Sequence, residues 1–170
     1  MKSREHIRLA IVMSAFILTA VFAACVFGAV PSGTGTKYEN TGYGFSVTLP
    51  ADWEGYTVVV SEWEGNSFDE DGKADGTETG PFISIRHPSW TEEDPYQDIP
   101  IMVFTHKQGE KALSESEELV IGAAPFPPSE LARNGNYVFA LPARYNFAYP
   151  RGFEEVDKII RGGAVRAILP

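Results

Sequence analysis

Cysteine is nearly absent from this sequence. The chain of 170 residues contains one, Cys25, and it lies in an apolar segment near the start. The remainder therefore has no disulfide framework, no cysteine-ligated zinc and no cysteine nucleophile. Histidine is also scarce, with three in the chain, and no Gly-x-Ser-x-Gly sequence marks the nucleophile turn of a serine hydrolase. A domain built from these residues must be stabilised by its apolar core.

Basic residues are also few compared with acidic residues. Three of the 14 basic residues and one of the 23 acidic residues precede residue 31, so the rest of the chain has a net charge of −11. An acidic domain is repelled by nucleic acid and by anionic lipid headgroups. Nucleic acid is therefore the partner class that the composition excludes first.

The first 30 residues have the pattern of an export signal. Basic residues precede an uncharged run of 22 residues, Leu9–Val30. Such a run follows the basic start of a signal peptide, and its length also suffices to span a bilayer as a hydrophobic anchor helix. The charge asymmetry places the N-terminus inside and the bulk of the chain outside. We therefore expect a signal peptide or membrane anchor at 1–30, a flexible tether at 31–37 and one globular domain at 38–170.

The segment before the cysteine, Val21-Phe22-Ala23-Ala24, resembles a bacterial lipobox, although that motif prefers leucine where this chain has Phe22. The resemblance implies that residues 1–24 are removed and that Cys25 is lipidated. Cleavage after Ala23 or Gly28 by an ordinary signal peptidase, or retention of an uncleaved anchor, are the alternatives. In each case the domain is extracytoplasmic, in a periplasm or outside the cell, and either membrane-anchored or secreted.

Alternating and apolar runs predict a mostly antiparallel sheet of five to seven strands. Ile99–Phe104 and Tyr137–Leu141 are apolar on both faces, so both faces of the sheet are expected to be covered and these two strands to be central. Further strands are predicted at Gly44–Pro50, Tyr56–Trp63, Phe82–Arg86, Leu119–Ile121 and Tyr145–Tyr149. An acidic, glycine-containing loop or hairpin tip is predicted at 67–80.

The clearest helix in the sequence is Gly152–Arg161, where apolar residues form one stripe and charges match the helix dipole. A short helix is expected at Ala112–Glu118. Single helical turns are expected at Thr91–Asp94 and, with Ser129 as cap, at Glu130–Arg133. With helices on both faces of the sheet, the fold class is an α+β sandwich.

The run Tyr43-Gly-Phe-Ser-Val-Thr-Leu-Pro50, followed by Asp52-Trp53, resembles the opening of PsbP-like domains. Those domains have an antiparallel sheet between helices and a long C-terminal helix, and the resemblance implies an accessory or assembly module. Separately, the phrases GPFISIRHPSW, DIPIMVFTH, PSELARN and YVFALPARYNFAY are similar to segments of exported bacterial proteins that bring no activity with them.

Two histidines, His87 and His106, each follow a buried strand. Parallel strands would bring them to one edge of the sheet, and antiparallel strands would separate them. With Asp98 they would form a two-histidine, one-carboxylate metal site or a general-base pair, and so an envelope hydrolase or metal-dependent enzyme. The simpler interpretation is two strand-end histidines with backbone partners. The acidic loop fits neither register of a calcium-binding EF-hand, so no metal or cofactor is predicted.

The remaining signal is a set of aromatic and arginine side chains near strand ends, a composition typical of recognition surfaces. Trp53 and Trp63 are expected in the core. The candidate binding residues are Arg86, His87, Trp90, Arg133, Arg144 and Tyr145. The sequence therefore favours a membrane-tethered or secreted module without catalytic activity that binds an envelope protein or a small ligand.

Overall fold

Nine strands and two α-helices occur in the part of the chain that the computed structural model describes, residues 35–115, 118–123 and 126–168. In chain order they are β1 (Thr36–Asn40), β2 (Phe45–Leu49), β3 (Thr57–Phe68), β4 (Ala74–Arg86), β5 (Ile99–Thr105), α1 (His106–Ala112), β6 (Leu119–Ile121), β7 (Ser129–Arg133), β8 (Tyr137–Leu141), α2 (Phe153–Arg161) and β9 (Val165–Ala167). A short 3-10 helix, Ala51–Trp53, follows β2.

The signal peptide, the anchor and the lipidation of Cys25 lie outside the described residues. The tether was expected to extend to residue 37, but Thr36 and Lys37 already belong to β1, where they pair with Leu49 and Thr48. Among the described residues, no helix is long and apolar enough to cross a membrane.

The strands form two antiparallel sheets. The larger has the order β6-β3-β4-β5-β8-β7, and the smaller has the order β1-β2-β9. Strands β5 and β8 lie inside the larger sheet, which confirms that Ile99–Phe104 and Tyr137–Leu141 are central. The predicted α+β class with a mostly antiparallel sheet is confirmed at this level.

One face of the six-stranded sheet is covered by the three-stranded sheet and by α2. Alternate side chains of β4, β5 and β8 point to this face, as strand geometry requires. They pack with β2, Trp53 and α2 in one fully buried cluster that includes Ile83, Ile85, Ile99, Ile101, Phe139, Phe45, Leu49, Trp53 and Val156. This cluster is the main core.

The opposite face carries a smaller cluster that includes Trp63, Met102, Phe104, Leu119 and Val138. The Trp63 indole lies across β4, where a Cβ on Gly80 would come within 2.6 Å of the ring. Its Nε1 donates to the Val103 carbonyl at 2.9 Å. Helix α1 covers part of this face, where a Cβ on Gly109 would lie 3.0 Å from the Val138 side chain.

The helix predicted at Gly152–Arg161 is confirmed as α2, with Gly152 as its N-cap. The helix predicted at Ala112–Glu118 is wrong for its described part, because α1 ends at Ala112 and residues 113–115 are not helical. Helix α1 instead starts directly after β5. Thr105 closes a capping box with Gln108, and this local signal at the strand end fixes the start of α1.

Three further predictions are wrong, those at Glu130–Arg133, Tyr145–Tyr149 and Thr91–Asp94. The turn predicted at Glu130–Arg133 is strand β7, because its backbone pairs with β8. The strand predicted at Tyr145–Tyr149 is a series of turns, in which Arg144 and Tyr149 adopt left-handed backbone angles, φ 55° and φ 47°. The predicted acidic loop at 67–80 is shorter than expected, since β3 and β4 extend into it and leave only 69–73 as the hairpin tip. No helix forms at Thr91–Asp94, although the Thr91 hydroxyl accepts a hydrogen bond from the Asp94 amide.

Candidate functional site

The two candidate histidines lie at opposite ends of the six-stranded sheet. Ile85 of β4 pairs with Ile99 of β5, so His87 lies at the end where β5 begins, whereas His106 directly follows the end of β5. At about 3.3 Å per residue, the two ends of β5 are roughly 20 Å apart. The structure therefore does not bring His87, Asp98 and His106 into one site. Within the described ranges, no group of three His, Cys, Asp or Glu side chains is arranged to hold a metal ion.

His87 is buried as part of an aromatic stack. Its ring lies parallel to Tyr96 with centroids 4.1 Å apart, and it meets Trp53 edge-on at 4.8 Å. Its Nδ1 accepts a hydrogen bond from the Ser89 amide at 3.0 Å, so the neutral ring carries its proton on Nε2. His106 instead bonds the Asn134 carbonyl through Nε2 at 3.0 Å. Both contacts correspond to the strand-end interpretation of these histidines.

Arg86 and Trp90 form a half-buried pair at the exit of β4. The Arg86 guanidinium donates two hydrogen bonds to Asp98, at 3.2 and 3.0 Å, and its carbon lies 3.9 Å from the centre of the Trp90 ring. A fork-shaped pair with a carboxylate fixes the plane of the guanidinium. Asp98 therefore positions Arg86 and does not act as a metal ligand or base together with His106.

A part-buried hydrogen-bond network joins the connection after β4 to α2. The Glu155 carboxylate of α2 accepts from Trp53 Nε1 at 2.8 Å and also from the Tyr96 hydroxyl. Burial and the bond to Glu155 raise the pKa of Tyr96 to about 12, so this hydroxyl keeps its proton under physiological conditions. Arg151 covers the Tyr96 ring and donates to the Ser89 carbonyl at 2.6 Å. The network attaches the connection 87–98 to α2.

Arg144 and Tyr145 lie near the same end of the sheet, after β8, but their side chains differ in contacts and exposure. The Tyr145 hydroxyl donates to Asp157 of α2 at 3.0 Å, and burial together with this bond raises the pKa of Tyr145 to about 12. Arg161 beside Asp157 lowers the pKa of that carboxyl. Tyr145 is thus an attachment point for α2, whereas the Arg144 side chain is exposed.

Arg144 belongs to an exposed aromatic patch. Its guanidinium lies 5.4 Å from the ring of Phe147 and 5.8 Å from that of Phe126. These rings are 71% and 50% exposed, and neighbouring Tyr149 is 70% exposed. We call Arg144, Phe126 and Phe147 the Arg144 patch.

Arg133 does not join these residues. It lies at the far end of β7, opposite Val138, and forms an ion pair with Glu130. This bond lowers the pKa of the Glu130 carboxyl. Of the six candidate binding residues, the structure places five near one end of the sheet and Arg133 at the other.

An open groove of about 390 Å³ lies on the less covered face of the six-stranded sheet. It extends from β3 to the segment before Arg144, and its lining includes Ser61, Trp63, Phe82, Met102, Pro142 and Ala143. Sequence reasoning missed both this groove and the exposure of Phe147. Pro142 and Pro150 mark the ends of the segment that carries Phe147, but no single run of residues signals the groove.

No protein-family model matches the chain, and no curated protein or solved structure is significantly similar to it.

Proposed function

We propose that the chain is a binding or assembly module without catalytic activity, exported across a membrane and either tethered to it or secreted. Its partner is an envelope protein, which binds the Arg144 patch and the neighbouring Arg86–Trp90 pair. The observation that carries the proposal is the exposure of Phe147 and Phe126 around an arginine with no ion-pair partner among the described residues.

The chemistry of these residues supports a protein partner. Arginine and aromatic side chains provide much of the binding energy in protein interfaces, and clustered exposed apolar rings mark such surfaces. Asp98 holds Arg86 in a fixed plane beside Trp90. A side chain that is already ordered loses less conformational entropy on binding.

The likeness to PsbP-like domains remains part of this proposal. It is supported by an antiparallel sheet with α1 against one face and α2 in the core of the other. The long C-terminal helix of those domains has no counterpart among the described residues, since α2 has 9 residues and β9 follows it. Of the residues that carry the likeness, Phe45, Val47, Leu49 and Trp53 are buried in the main core. They argue for a shared architecture only, since a fold does not define a function.

The binding proposal is tested by capturing partners from the envelope of the source cell with the full chain. Phe147→Ala and Arg144→Ala are expected to lose the same captured protein while melting like the wild type, because both side chains are exposed. Lys107→Ala is the matched control, since Lys107 is an exposed cation at the opposite end of β5. Capture that is equal in all three variants would exclude the Arg144 patch as the binding surface.

The membrane tether is tested separately. Metabolic labelling with a fatty-acid analogue is expected to mark the wild type and to be lost in Cys25→Ser, because only a cysteine thiol at this position accepts the lipid. Release of unlabelled wild-type protein in soluble form would remove the lipoprotein proposal and leave the secreted form.

A further inference from the structure

The outer edge of β3 is open over most of its length. Within residues 35–115, 118–123 and 126–168, the strand on that side is β6, and it pairs only with Gly65, Asn66 and Ser67. The preceding stretch, Thr57–Glu64, pairs with β4 on its other side alone. In an antiparallel ladder, alternate residues of such a stretch direct their N–H and C=O groups outward.

This edge has few of the features that normally prevent edge-to-edge pairing. Natural edge strands are commonly short or carry charged side chains, especially lysine, or proline or a bulge. The charged residues of this edge are Glu62 and Glu64, both near one end of it. Thr57–Glu64 contains neither lysine nor proline, and the irregularity in the β3–β4 pairing lies beyond it, at Ser67/Phe68. It includes Val58, Val59 and Val60, which are 37%, 38% and 68% exposed. An exposed valine-rich edge of this length is suited to bind another strand.

The groove described above borders the same stretch. Ser61 and Trp63 line it, together with Phe82 and Met102 further into the sheet. Glu62 and Glu64 also border the groove. Since side chains alternate between faces, those of Val59, Ser61 and Trp63 lie on the groove side of the sheet, and those of Val60, Glu62 and Glu64 on the other. A strand added to this edge would therefore place every second side chain on the groove side, next to Trp63.

The charge of the edge indicates which side chains a bound segment would carry at its other alternate positions. Glu62 and Glu64 are exposed and form no ion pair within the described residues. Further acids, Asp69, Glu70 and Asp71, follow at the hairpin tip. A basic segment is attracted to this edge, whereas a second copy of the chain, with its net charge of −11 after residue 30, is repelled.

We propose that the Thr57–Glu64 edge binds an extended segment of a partner protein as an added β-strand. Apolar side chains of that segment enter the groove beside Trp63, and lysine or arginine side chains lie opposite Glu62 and Glu64. Main-chain hydrogen bonds then provide affinity and the alternating side chains provide specificity. This site goes beyond the proposed function, because its strand edge contains no residue of the Arg144 patch, although the groove ends beside that patch at Pro142 and Ala143.

The probe is a blocked synthetic peptide, as long as the open stretch, in which valine alternates with lysine. The peptide is added to the isotopically labelled full chain, and amide hydrogen exchange is measured by NMR. Alternate amides within Thr57–Glu64 are expected to gain protection, while those of β5 stay unchanged. A peptide with glutamate in place of lysine, and one with alternate amides N-methylated, are expected not to bind, because the first is repelled and the second lacks donors.

Variants of the chain complete the test. Val60→Lys and the double variant Glu62→Lys/Glu64→Lys are expected to weaken peptide binding by about tenfold or more, as loss of edge complementarity and of two ion pairs implies. Glu110→Lys on exposed α1 is the matched charge control and is expected to bind normally. All variants should melt like the wild type, and Val60→Lys should retain capture through the Arg144 patch.

Three results would overturn the proposal. The first is absence of binding by the lysine peptide. The second is binding that protects no amide of Thr57–Glu64. The third is concentration-dependent self-association of the wild type that protects the same amides without peptide, since the occupant would then be a second copy.

Discussion

The two faces of the six-stranded sheet differ in how completely they are covered. One face is closed by the three-stranded sheet and α2, and its buried cluster includes Trp53 and Phe139 with no exposed surface. The other is covered in part by α1, has a smaller cluster around Trp63 and keeps an open groove. The closed face also carries the hydrogen bonds from Trp53, Tyr96 and Tyr145 to carboxylates of α2.

Because of this difference, we expect the residues that determine stability and the residues that bind a partner to lie on different sides of the sheet. Residues on the closed face have few ways to change without creating a cavity or an unpaired polar group. The Arg144 patch and the exposed residues at the edge of the groove, such as Ser61 and Glu62, have surface that is free to contact a partner. Substitutions on the two sides should therefore affect different measurements, and the predictions below test this separation in order of expected effect on stability.

The largest effect is expected for Trp53→Ala. Trp53 has no exposed surface, and its Nε1 is bonded to Glu155. Truncation of a buried aromatic residue costs about 3–5 kcal/mol of unfolding free energy. Chemical denaturation monitored by circular dichroism measures it, with Trp53→Phe as a control that keeps an aromatic ring in the site. A loss below about 1 kcal/mol would show that the closed face is not the main source of stability.

The next largest effect is expected for Gly152→Ala at the start of α2. Gly152 has φ 80°, and a Cβ there would lie 1.9 Å from the Tyr96 ring. Overpacking and the left-handed backbone together should cost about 2–4 kcal/mol. Gly163→Ala is the matched control, since Gly163 has φ 70° with no atom within 4 Å of the added Cβ. Equal melting temperatures of the two variants would contradict the close contact with Tyr96.

A smaller effect with a distinct pH dependence is expected for Tyr96→Phe. Loss of the bond to Glu155 should cost about 1–2 kcal/mol at neutral pH. Because folding raises the pKa of Tyr96 from 10.0 to about 12, its contribution to stability is full below pH 10 and is lost as the pH rises towards 12. Between about pH 10 and pH 12, the free energy of unfolding of Tyr96→Phe should therefore fall less than that of the wild type.

Denaturation at a series of alkaline pH values measures this difference. Tyr149→Phe is the control, because its ring is 70% exposed and outside the network. Tyr145 has a pKa raised in the same direction, so Tyr145→Phe should also reduce the alkaline loss. Parallel pH profiles for the wild type and Tyr96→Phe would mean that the hydroxyl of Tyr96 does not titrate differently in the folded state.

Much of the fold followed from local pattern. Two-faced apolar runs identified β5 and β8 as central, and the stripe with matched charges identified α2. The failures lie where a long-range contact decides the local structure. Ser129–Arg133 has the composition of a turn, yet β8 supplies its hydrogen-bond partners. In Tyr145–Tyr149 aromatic residues alternate with others, as in a strand. The Tyr145 hydroxyl is, however, hydrogen-bonded to Asp157, and the backbone turns at Arg144.

The structure brings together only some of the candidate binding residues, because long-range contacts again decide where the others lie. Arg86 and Trp90 are close in sequence, and a strand end followed by a short turn is enough to bring them together. Arg133 was wrongly grouped with them, because the antiparallel direction of β7 carries it to the opposite end. The groove depends on how β3, β8 and their connections surround the sheet face, which no single run of residues encodes.

The smallest effect on stability is expected for Trp90→Ala, which tests the open side directly. Trp90 is half-buried and contacts Arg86 in a polar connection, while Asp98 still holds Arg86 when the ring is removed. The expected cost is about 1 kcal/mol, at the boundary between an exposed and a desolvated cation–aromatic contact. Capture of an envelope partner should nevertheless fall, because Trp90 provides apolar contact area beside a fixed cation. Thermal melts and capture are measured on the same preparations, with Trp53→Ala as the stability reference. If Trp90→Ala melts as early as Trp53→Ala, then Trp90 belongs to the core, and the Arg86–Trp90 pair cannot be assigned to the binding surface.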